Sequence, residues 1–389
     1  MNNDEKKISE QEEKTIAFQI SKNKSEFHKE LDKREEDFTS SSIYKVKSSA
    51  KTLMKNPLVI FSIALVVLML VAAIILLGGC ESRIDIPDVT VTDESEIPTV
   101  SEGEKLYIVK NSAEVKQIGG GISADYAVVV DLLELCAIAE KNSDKLMFPA
   151  SMTKIMTFVT AWDYIQEHSD RRSLDDYTTI TREVKNQYYG ASRVGLDVGD
   201  MMTVEQLMYA MLLVSDTDAT ITLANYIAGS ESEFAELMNA KAAELGLVNT
   251  HFANASGFHD NNTYTTAREM ASIFAYALDI ELFKEIVTCR EYAAYLKYYN
   301  DDGELKSYRF IFKNSTIIDR FDNFNISTSL SNGMEILGGK TGFTDEAAYC
   351  QAVYSVNAEG KGYIAIIGHA STKQGCSNDV VAACLNFIG

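Results

Sequence analysis

The 389-residue sequence is poor in two kinds of side chain, and each shortage argues against a class of function. Its five histidines are scattered, and it contains no Gly-x-Ser-x-Gly motif, which argues against a nucleophile elbow with a Ser-His-Asp triad. Basic residues are also few, with 36 Lys and Arg against 56 Asp and Glu and a formal net charge of −20. Because nucleic acid selects basic surfaces, we expect no nucleic-acid partner, and the acidic charge is interpreted as an aid to solubility.

The six cysteines do not form a metal-binding pattern. They include no paired Cys-x-x-Cys and stand at Cys80, Cys136, Cys289, Cys350, Cys376 and Cys384. This spacing argues against a zinc site. A disulfide between Cys376 and Cys384 and a set of buried free thiols are both compatible with the sequence.

One long hydrophobic run stands near the N-terminus. From Leu58 to Gly79 the chain holds 22 residues without a charge, and at about 1.5 Å per residue this run spans a hydrocarbon core of about 30 Å. Lysines precede the run and acidic residues follow it, so the positive-inside rule predicts a single-pass helix with a cytoplasmic N-terminus. Leu77-Gly-Gly-Cys80 also looks like a lipoprotein cleavage box, which leaves lipidation of Cys80 as an alternative anchor.

Composition divides the chain into four parts. We expect a disordered cytoplasmic tail over 1–56, a transmembrane helix over 57–79, an extracellular acidic stalk and lead-in over 80–121, and a folded catalytic domain over 122–389. Within the domain, strand-like runs occupy 126–131, 136–138, 349–356 and 363–368. Helical periods cover 152–165, 204–214, 219–228, 233–245, 267–277 and 380–387. Strands at both ends with helices between them predict an α+β fold with a helical lobe.

The most informative motif is Pro149-Ala-Ser-Met-Thr-Lys154. Ser151 and Lys154 are three residues apart at the start of an apolar helix, so their side chains share one face. A serine hydroxyl needs an adjacent base, and a buried lysine with a lowered pKa can be that base. The motif predicts an acylation centre, whereas a helix-capping serine is the structural alternative.

A second motif, Gly339-Lys-Thr-Gly342, lies late in the chain. On a strand edge it provides a fixed cation at Lys340, a hydroxyl at Thr341, and a glycine that lets substrate backbone approach. A P-loop is the rival interpretation. It needs a glycine at the position of Met334, and the layout before the motif is wrong for it.

The third motif is Ser215-Asp-Thr217, at the junction of two predicted helices. A second serine there can pass a proton between the lysine and a leaving amine. Asp216 and Asp218 follow Ser215, and we interpret both as helix-capping carboxylates.

In chain order these motifs resemble the penicillin-recognising serine acyltransferases, and most closely the D-alanyl-D-alanine carboxypeptidase family, the low-molecular-weight penicillin-binding proteins. The resemblance covers roughly residues 122–389 and rests on five segments: 148–157, 190–195, 255–259, 264–268 and 338–347. It implies a β-lactamase/transpeptidase-like fold, in which an antiparallel sheet is flanked by helices and a helical lobe.

The resemblance also implies a mechanism. Ser151 attacks the carbonyl between two D-alanines of a peptidoglycan stem peptide, and Lys154 takes the hydroxyl proton, directly or through Ser215. Lys340 and Thr341, with Gly342 beside them, hold the terminal carboxylate. The backbone N–H groups of Ser151 and Phe343 bind the oxyanion, and Ser215 protonates the departing amine. β-Lactams would trap the same serine, and no metal or organic cofactor is needed.

Thr217 departs from the family pattern, which is usually Ser-x-Asn. Threonine keeps a hydroxyl for substrate binding but lacks the two amide donors of asparagine. The substitution at Thr217 leaves open an alternative function, that of a catalytically weakened peptidoglycan-binding or signalling protein. A class A β-lactamase is less favoured, because it needs a glutamate after the middle motif and no Glu or Gln lies between Glu244 and Glu269.

Overall fold

The computed structural model describes residues 107–388. The strands in this part are β1 (Lys110–Gln117), β2 (Tyr126–Asp131), β3 (Cys136–Lys141), β4 (Leu146–Met147), β5 (Tyr177–Thr179), β6 (Met201–Thr203), β7 (Thr265–Thr266), β8 (Glu291–Tyr299), β9 (Leu305–Lys313), β10 (Glu335–Thr344), β11 (Ala348–Val356) and β12 (Gly362–Ala370). The helices are α1 (Thr153–Glu167), α2 (Arg182–Lys185), α3 (Val204–Leu213), α4 (Thr217–Ala228), α5 (Glu231–Glu244), α6 (Ala267–Leu278), α7 (Glu281–Thr288), α8 (Ile318–Asn323) and α9 (Lys373–Phe387). A short 3₁₀ turn, Ala150–Met152, leads directly into α1.

The central sheet is built from the two ends of the described chain. Its six strands lie in the order β1-β3-β2-β12-β11-β10, and every neighbouring pair is antiparallel except β1 with β3. The helices of the lobe lie between these strands in the sequence. The α+β prediction, with strands from both ends and a helical lobe between them, is confirmed.

Each face of the sheet has its own hydrophobic core. Side chains alternate along β2, so Val128 and Val130 pack into the helical lobe while Ala127 and Val129 pack toward α9. All four are fully buried. Burying a valine side chain contributes about 1.5–3 kcal/mol, so this alternation fixes the register of the strand between the two layers.

The predicted helices form, and polar caps fix where they begin. Side-chain oxygens of the cap residues accept backbone N–H groups in the first turn at Thr203, Asp216, Ser230 and Thr266. Satisfying those N–H groups favours a helix start at that point. The cap at Asp216 makes α4 begin at Thr217, two residues before the predicted start at 219.

A second sheet was not predicted. It has the order β5-β6-β8-β9, and its core is the hairpin of β8 and β9, paired from Glu291 with Lys313 to Tyr299 with Leu305. Much of this hairpin is exposed, including Tyr295 and Tyr299. A two-sided, partly exposed ribbon gives a weak hydrophobic pattern, which explains why periodicity did not reveal it.

One expectation about the chain differs from the structure, and one question that the sequence left open is answered by it. Strand β1 lies within the range 80–121 assigned to stalk and lead-in, yet it pairs with β3, so the folded domain begins before residue 122. Cys376 and Cys384 are buried free thiols. Both lie on α9 eight residues apart, or about 12 Å along the axis, whereas a disulfide needs Cα atoms within about 7 Å.

Between residues 107 and 388, no helix combines the length and apolarity that crossing a bilayer requires. The predicted tail at 1–56, the transmembrane helix at 57–79 and Cys80 lie outside the described residues.

Candidate active site

The serine of the first motif lies in the 3₁₀ turn that opens α1. Ser151 is half-buried, and Lys154, one turn later on the same face, is buried. The Lys154 Nζ donates a hydrogen bond to the Ser151 Oγ at 3.2 Å. The two side chains are therefore in hydrogen-bond contact, as their spacing predicts, and the Ser151 side chain does not cap the helix.

Burial sets the protonation of the lysine base. The loss of water around Lys154 lowers its pKa to about 8, although the nearby carboxylates of Asp216 and Glu231 act to raise it. Its ammonium also donates to the Ser256 carbonyl oxygen at 2.6 Å. With a pKa of about 8, roughly a tenth of Lys154 is neutral at pH 7 and able to accept a proton from Ser151.

A second lysine and serine pair lies near enough to the first for the charge of Lys154 to act on Lys340. The Lys340 Nζ donates to the Ser215 Oγ at 2.9 Å and to the Thr341 carbonyl oxygen at 2.9 Å. Ser215 adopts a left-handed backbone conformation, with φ of 58°, directly after α3. Such a conformation is costly for a residue other than glycine, and it is maintained where the surrounding contacts require it.

The two lysines are electrostatically coupled. Lys340 is fully buried, and its pKa is lowered well below the ordinary value by burial first and by the charge of Lys154 second. Burial and the charge on Lys154 therefore disfavour an ammonium at Lys340. A carboxylate bound beside Lys340 would offset both effects and favour its ammonium form.

The second glycine of the late motif, Gly342, lies against the turn that carries Ser151. A Cβ on Gly342 would lie 2.7 Å from the Pro149 carbonyl oxygen and 3.2 Å from the Ser151 backbone nitrogen. The space that a side chain at Gly342 would need is therefore occupied by the serine-bearing turn. The absent side chain lets β10 pack against that turn, and Phe343, half-exposed, follows at once on the strand.

The P-loop alternative is excluded. Residues 339–342 lie inside strand β10, where Lys340 pairs with Ala352 of β11. A P-loop requires a glycine-rich loop leading into a helix. The triad alternative has no support either, because His259 lies against Phe148 and 3.6 Å from the Glu346 carboxylate, while Ser151 pairs with Lys154.

Thr217 is buried at the first position of α4, two residues after Ser215. Its backbone N–H donates to the Ser192 carbonyl oxygen at 2.9 Å. The structure therefore places the substituted position of the middle motif close to the second serine, in contact with the 190–195 segment.

The two carboxylates that flank Thr217 act differently. Asp216 caps α4 by accepting the Ala219 N–H at 2.7 Å, as predicted, and burial raises its pKa. Asp218 is instead paired with Lys185 at 2.9 Å and Arg193 at 2.7 Å. The capping interpretation is confirmed for Asp216 and is wrong for Asp218, whose charge is neutralised by two cations.

Three further residues belong to the site, although the motifs did not identify them. Ser256 supplies the carbonyl that holds Lys154, and it lies in the 255–259 segment already noted for its resemblance. Glu231 is bound by the Tyr188 hydroxyl at 2.9 Å, and burial raises its pKa. Arg320 is buried on α8, and its charge lowers the pKa of Lys340. No local pattern identifies Glu231 or Arg320.

Comparison with known proteins gives consistent matches. A family model described as D-alanyl-D-alanine carboxypeptidase matches residues 110–372. The chain is 29% identical over 296 residues to D-alanyl-D-alanine carboxypeptidase DacF of Bacillus subtilis, covering 75% of this chain and 70% of that protein. It is 34% identical over 148 residues to DacC of Escherichia coli, covering 37% of this chain and 36% of that protein. The crystal structure of the Streptomyces K15 DD-transpeptidase superposes with a TM-score of 0.59 at 26% identity, covering 68% of this chain and 97% of that one.

Proposed function

The chain belongs to the D-alanyl-D-alanine carboxypeptidase family, and from that membership we propose that it removes the terminal D-alanine from peptidoglycan stem peptides through an acyl-enzyme on Ser151. Its reaction class is that of a serine peptidase. The observation that carries the proposal is the presence of two lysine and serine pairs, at 3.2 Å for Lys154 with Ser151 and 2.9 Å for Lys340 with Ser215, with the charge of Lys154 acting on Lys340.

Acylation begins at the first pair. Neutral Lys154 takes the Ser151 proton, directly or through Ser215, as the oxygen attacks the carbonyl between the two D-alanines. The N–H groups of Ser151 and Phe343 stabilise the oxyanion. The contact between Gly342 and the serine turn supports this role, because it brings the two segments that carry these N–H groups together.

The second pair holds and releases the product. Lys340 and Thr341 bind the terminal carboxylate of the substrate, because a cation beside a hydroxyl suits that group. Ser215, held by Lys340, protonates the departing D-alanine nitrogen. Water then attacks the ester on Ser151, with Lys154 as the base, and frees the shortened peptide. A β-lactam follows the same first step and forms a slowly hydrolysed ester.

The direct test is release of D-alanine from a stem pentapeptide that ends in D-Ala-D-Ala. We expect release by the wild-type chain, and a loss of at least about a thousandfold for Ser151→Ala without a change in circular dichroism. Penicillin labelling of a chain that releases no D-alanine would favour the weakened peptidoglycan-binding protein that Thr217 suggested. Release by Ser151→Ala at the wild-type rate would overturn the assignment.

We propose further that the protein is anchored in the cell membrane by residues 57–79, with a cytoplasmic N-terminus and an extracellular catalytic domain. The support is the uncharged run and its flanking charges. Mass spectrometry of the mature N-terminus tests this: an intact N-terminus supports the helix, whereas a chain that begins at a lipidated Cys80 would replace it with a lipid anchor.

A further inference from the structure

A cleft of about 570 Å³ lies on the second sheet, and none of Ser151, Lys154, Ser215 and Lys340 lines it. One wall is aromatic and comes from the β8–β9 hairpin, with Tyr298, Tyr299, Tyr308 and Phe310. Tyr299 is 63% exposed, and Tyr298 packs edge-on against Tyr308 at 5.8 Å between ring centroids. Pockets that hold small ligands have volumes of about 300–1,000 Å³, so this cleft is large enough for one.

The opposite wall is the loop at residues 195–201, which carries two carboxylates. Asp200 is buried and accepts the Tyr308 hydroxyl at 2.7 Å and the Asp197 backbone N–H at 2.7 Å. Asp197 itself is exposed at the cleft. The hydrogen bonds of Asp200 therefore hold the loop against the aromatic hairpin, and the Asp197 carboxylate lies at the surface between them.

The composition of this cleft selects a class of ligand. Among the described residues that line it, none is a lysine or arginine, so the only charged side chains that an anionic ligand would meet are acidic. A carboxylate is an acceptor and favours a ligand that is rich in hydroxyl or amide donors. Tyrosine rings offer a flat apolar face with a polar tip. Sugar rings combine an apolar C–H face with a rim of such donors.

The cleft and the active site share one loop. Gly195 lines the cleft, while one residue earlier the Val194 N–H donates to Asp216 at 2.8 Å, next to Ser215. In peptidoglycan the stem peptide is attached to a glycan strand, and five residues span at most about 18 Å. A substrate whose peptide is bound at Ser151 therefore has its sugar chain within about 18 Å of that residue.

We propose that this cleft binds the glycan strand of peptidoglycan, with the sugar chain contacting Tyr298 and Tyr299 and sugar hydroxyl or amide groups donating to Asp197. The inference rests on the proposed function for the identity of the polymer. It adds a second binding site, through which the enzyme holds the sugar backbone while the peptide reacts.

The first test measures binding of a neutral probe, the β-1,4-linked tetramer of N-acetylglucosamine, to the full chain by calorimetry. We expect binding by the wild type, at least tenfold weaker binding by Tyr299→Ala, and unchanged binding by Tyr295→Ala. Tyr295 is a matched control, because it is 61% exposed on the same strand and does not line the cleft. Asp197→Asn provides a second variant at an exposed position and should also weaken binding.

The second test compares D-alanine release from a stem pentapeptide carried on glycan with release from the free pentapeptide. Tyr299→Ala should raise KM at least fivefold on the glycan-linked substrate and leave the free peptide unchanged. An equal loss on both substrates, or no tetramer binding by the wild type, would overturn the inference. Absence of release from both substrates would overturn the proposed function instead, and the tetramer measurement would still decide the role of the cleft.

Discussion

Neutralising Glu231 should move the acid limb of Ser151 acylation to lower pH. Burial lowers the pKa of Lys154 to about 8 while Glu231 acts to raise it, so Glu231→Gln removes a charge that stabilises the ammonium form. With a pKa of about 8, roughly a tenth of Lys154 is neutral at pH 7. A lysine with the ordinary pKa of 10.5 would be neutral in only roughly one part in three thousand. Burial therefore increases the concentration of competent base roughly 300-fold.

The sign and size of the effect follow from that fraction. Acylation needs neutral Lys154. The acylation rate therefore decreases as the pH falls through the pKa of Lys154, and it levels off at pH values above that pKa. Because a tenth of the base is already neutral at pH 7, Glu231→Gln can raise the rate there by at most about tenfold. The glutamine oxygen can still accept the Ala255 N–H, which donates to Glu231 at 3.1 Å, so the fold should be kept.

The assay is the rate constant for labelling by a fluorescent penicillin between pH 6 and 10. We expect the labelling rate constant of the wild type to reach half its maximum near pH 8, and that of Glu231→Gln to do so at a lower pH. Glu236→Gln changes an exposed residue on the same helix and should leave this midpoint unchanged. A wild-type midpoint near 10, or a midpoint that rises in Glu231→Gln, would refute the assignment of Lys154 as a buried base.

Three further outcomes follow from the site. Gly342→Ala places a Cβ 2.7 Å from the Pro149 carbonyl oxygen and should destabilise the domain by about 1–3 kcal/mol in urea unfolding, whereas Gly121→Ala, with open space around it, should not. Lys340→Gln removes the cation that binds the second serine and should lower kcat/KM for D-alanine release about a hundredfold or more, and a smaller loss would argue against its role. Thr217→Asn restores the amide usual in the family and should preserve or raise the acylation rate by penicillin labelling; loss of D-alanine release would show that our interpretation of that position is wrong.

Local geometry explains what was predictable in the site. Ser151 and Lys154 are one helical turn apart, so a spacing of three residues was enough to place them together. The predicted start of α3 at Val204 agrees with the structure, where the Thr203 cap acts within its own first turn.

Long-range contacts explain what was not predictable. The bond between Lys340 and Ser215 joins residues 125 positions apart, and only the family resemblance suggested it. The carbonyl of Ser256 reaches Lys154 across 102 positions. Gly342 shows the same limit, because its neighbour in space is the serine turn, which no spacing rule reveals.

The most direct measurement is peptide mapping by mass spectrometry after incubation of the full chain with penicillin. The account predicts a single acyl adduct on the peptide that contains Ser151, its loss in Ser151→Ala, and its loss in Lys154→Ala with little change in circular dichroism. No adduct on the wild type, or an adduct that persists in the folded Ser151→Ala variant, would contradict the claim that these two pairs form one acylation site.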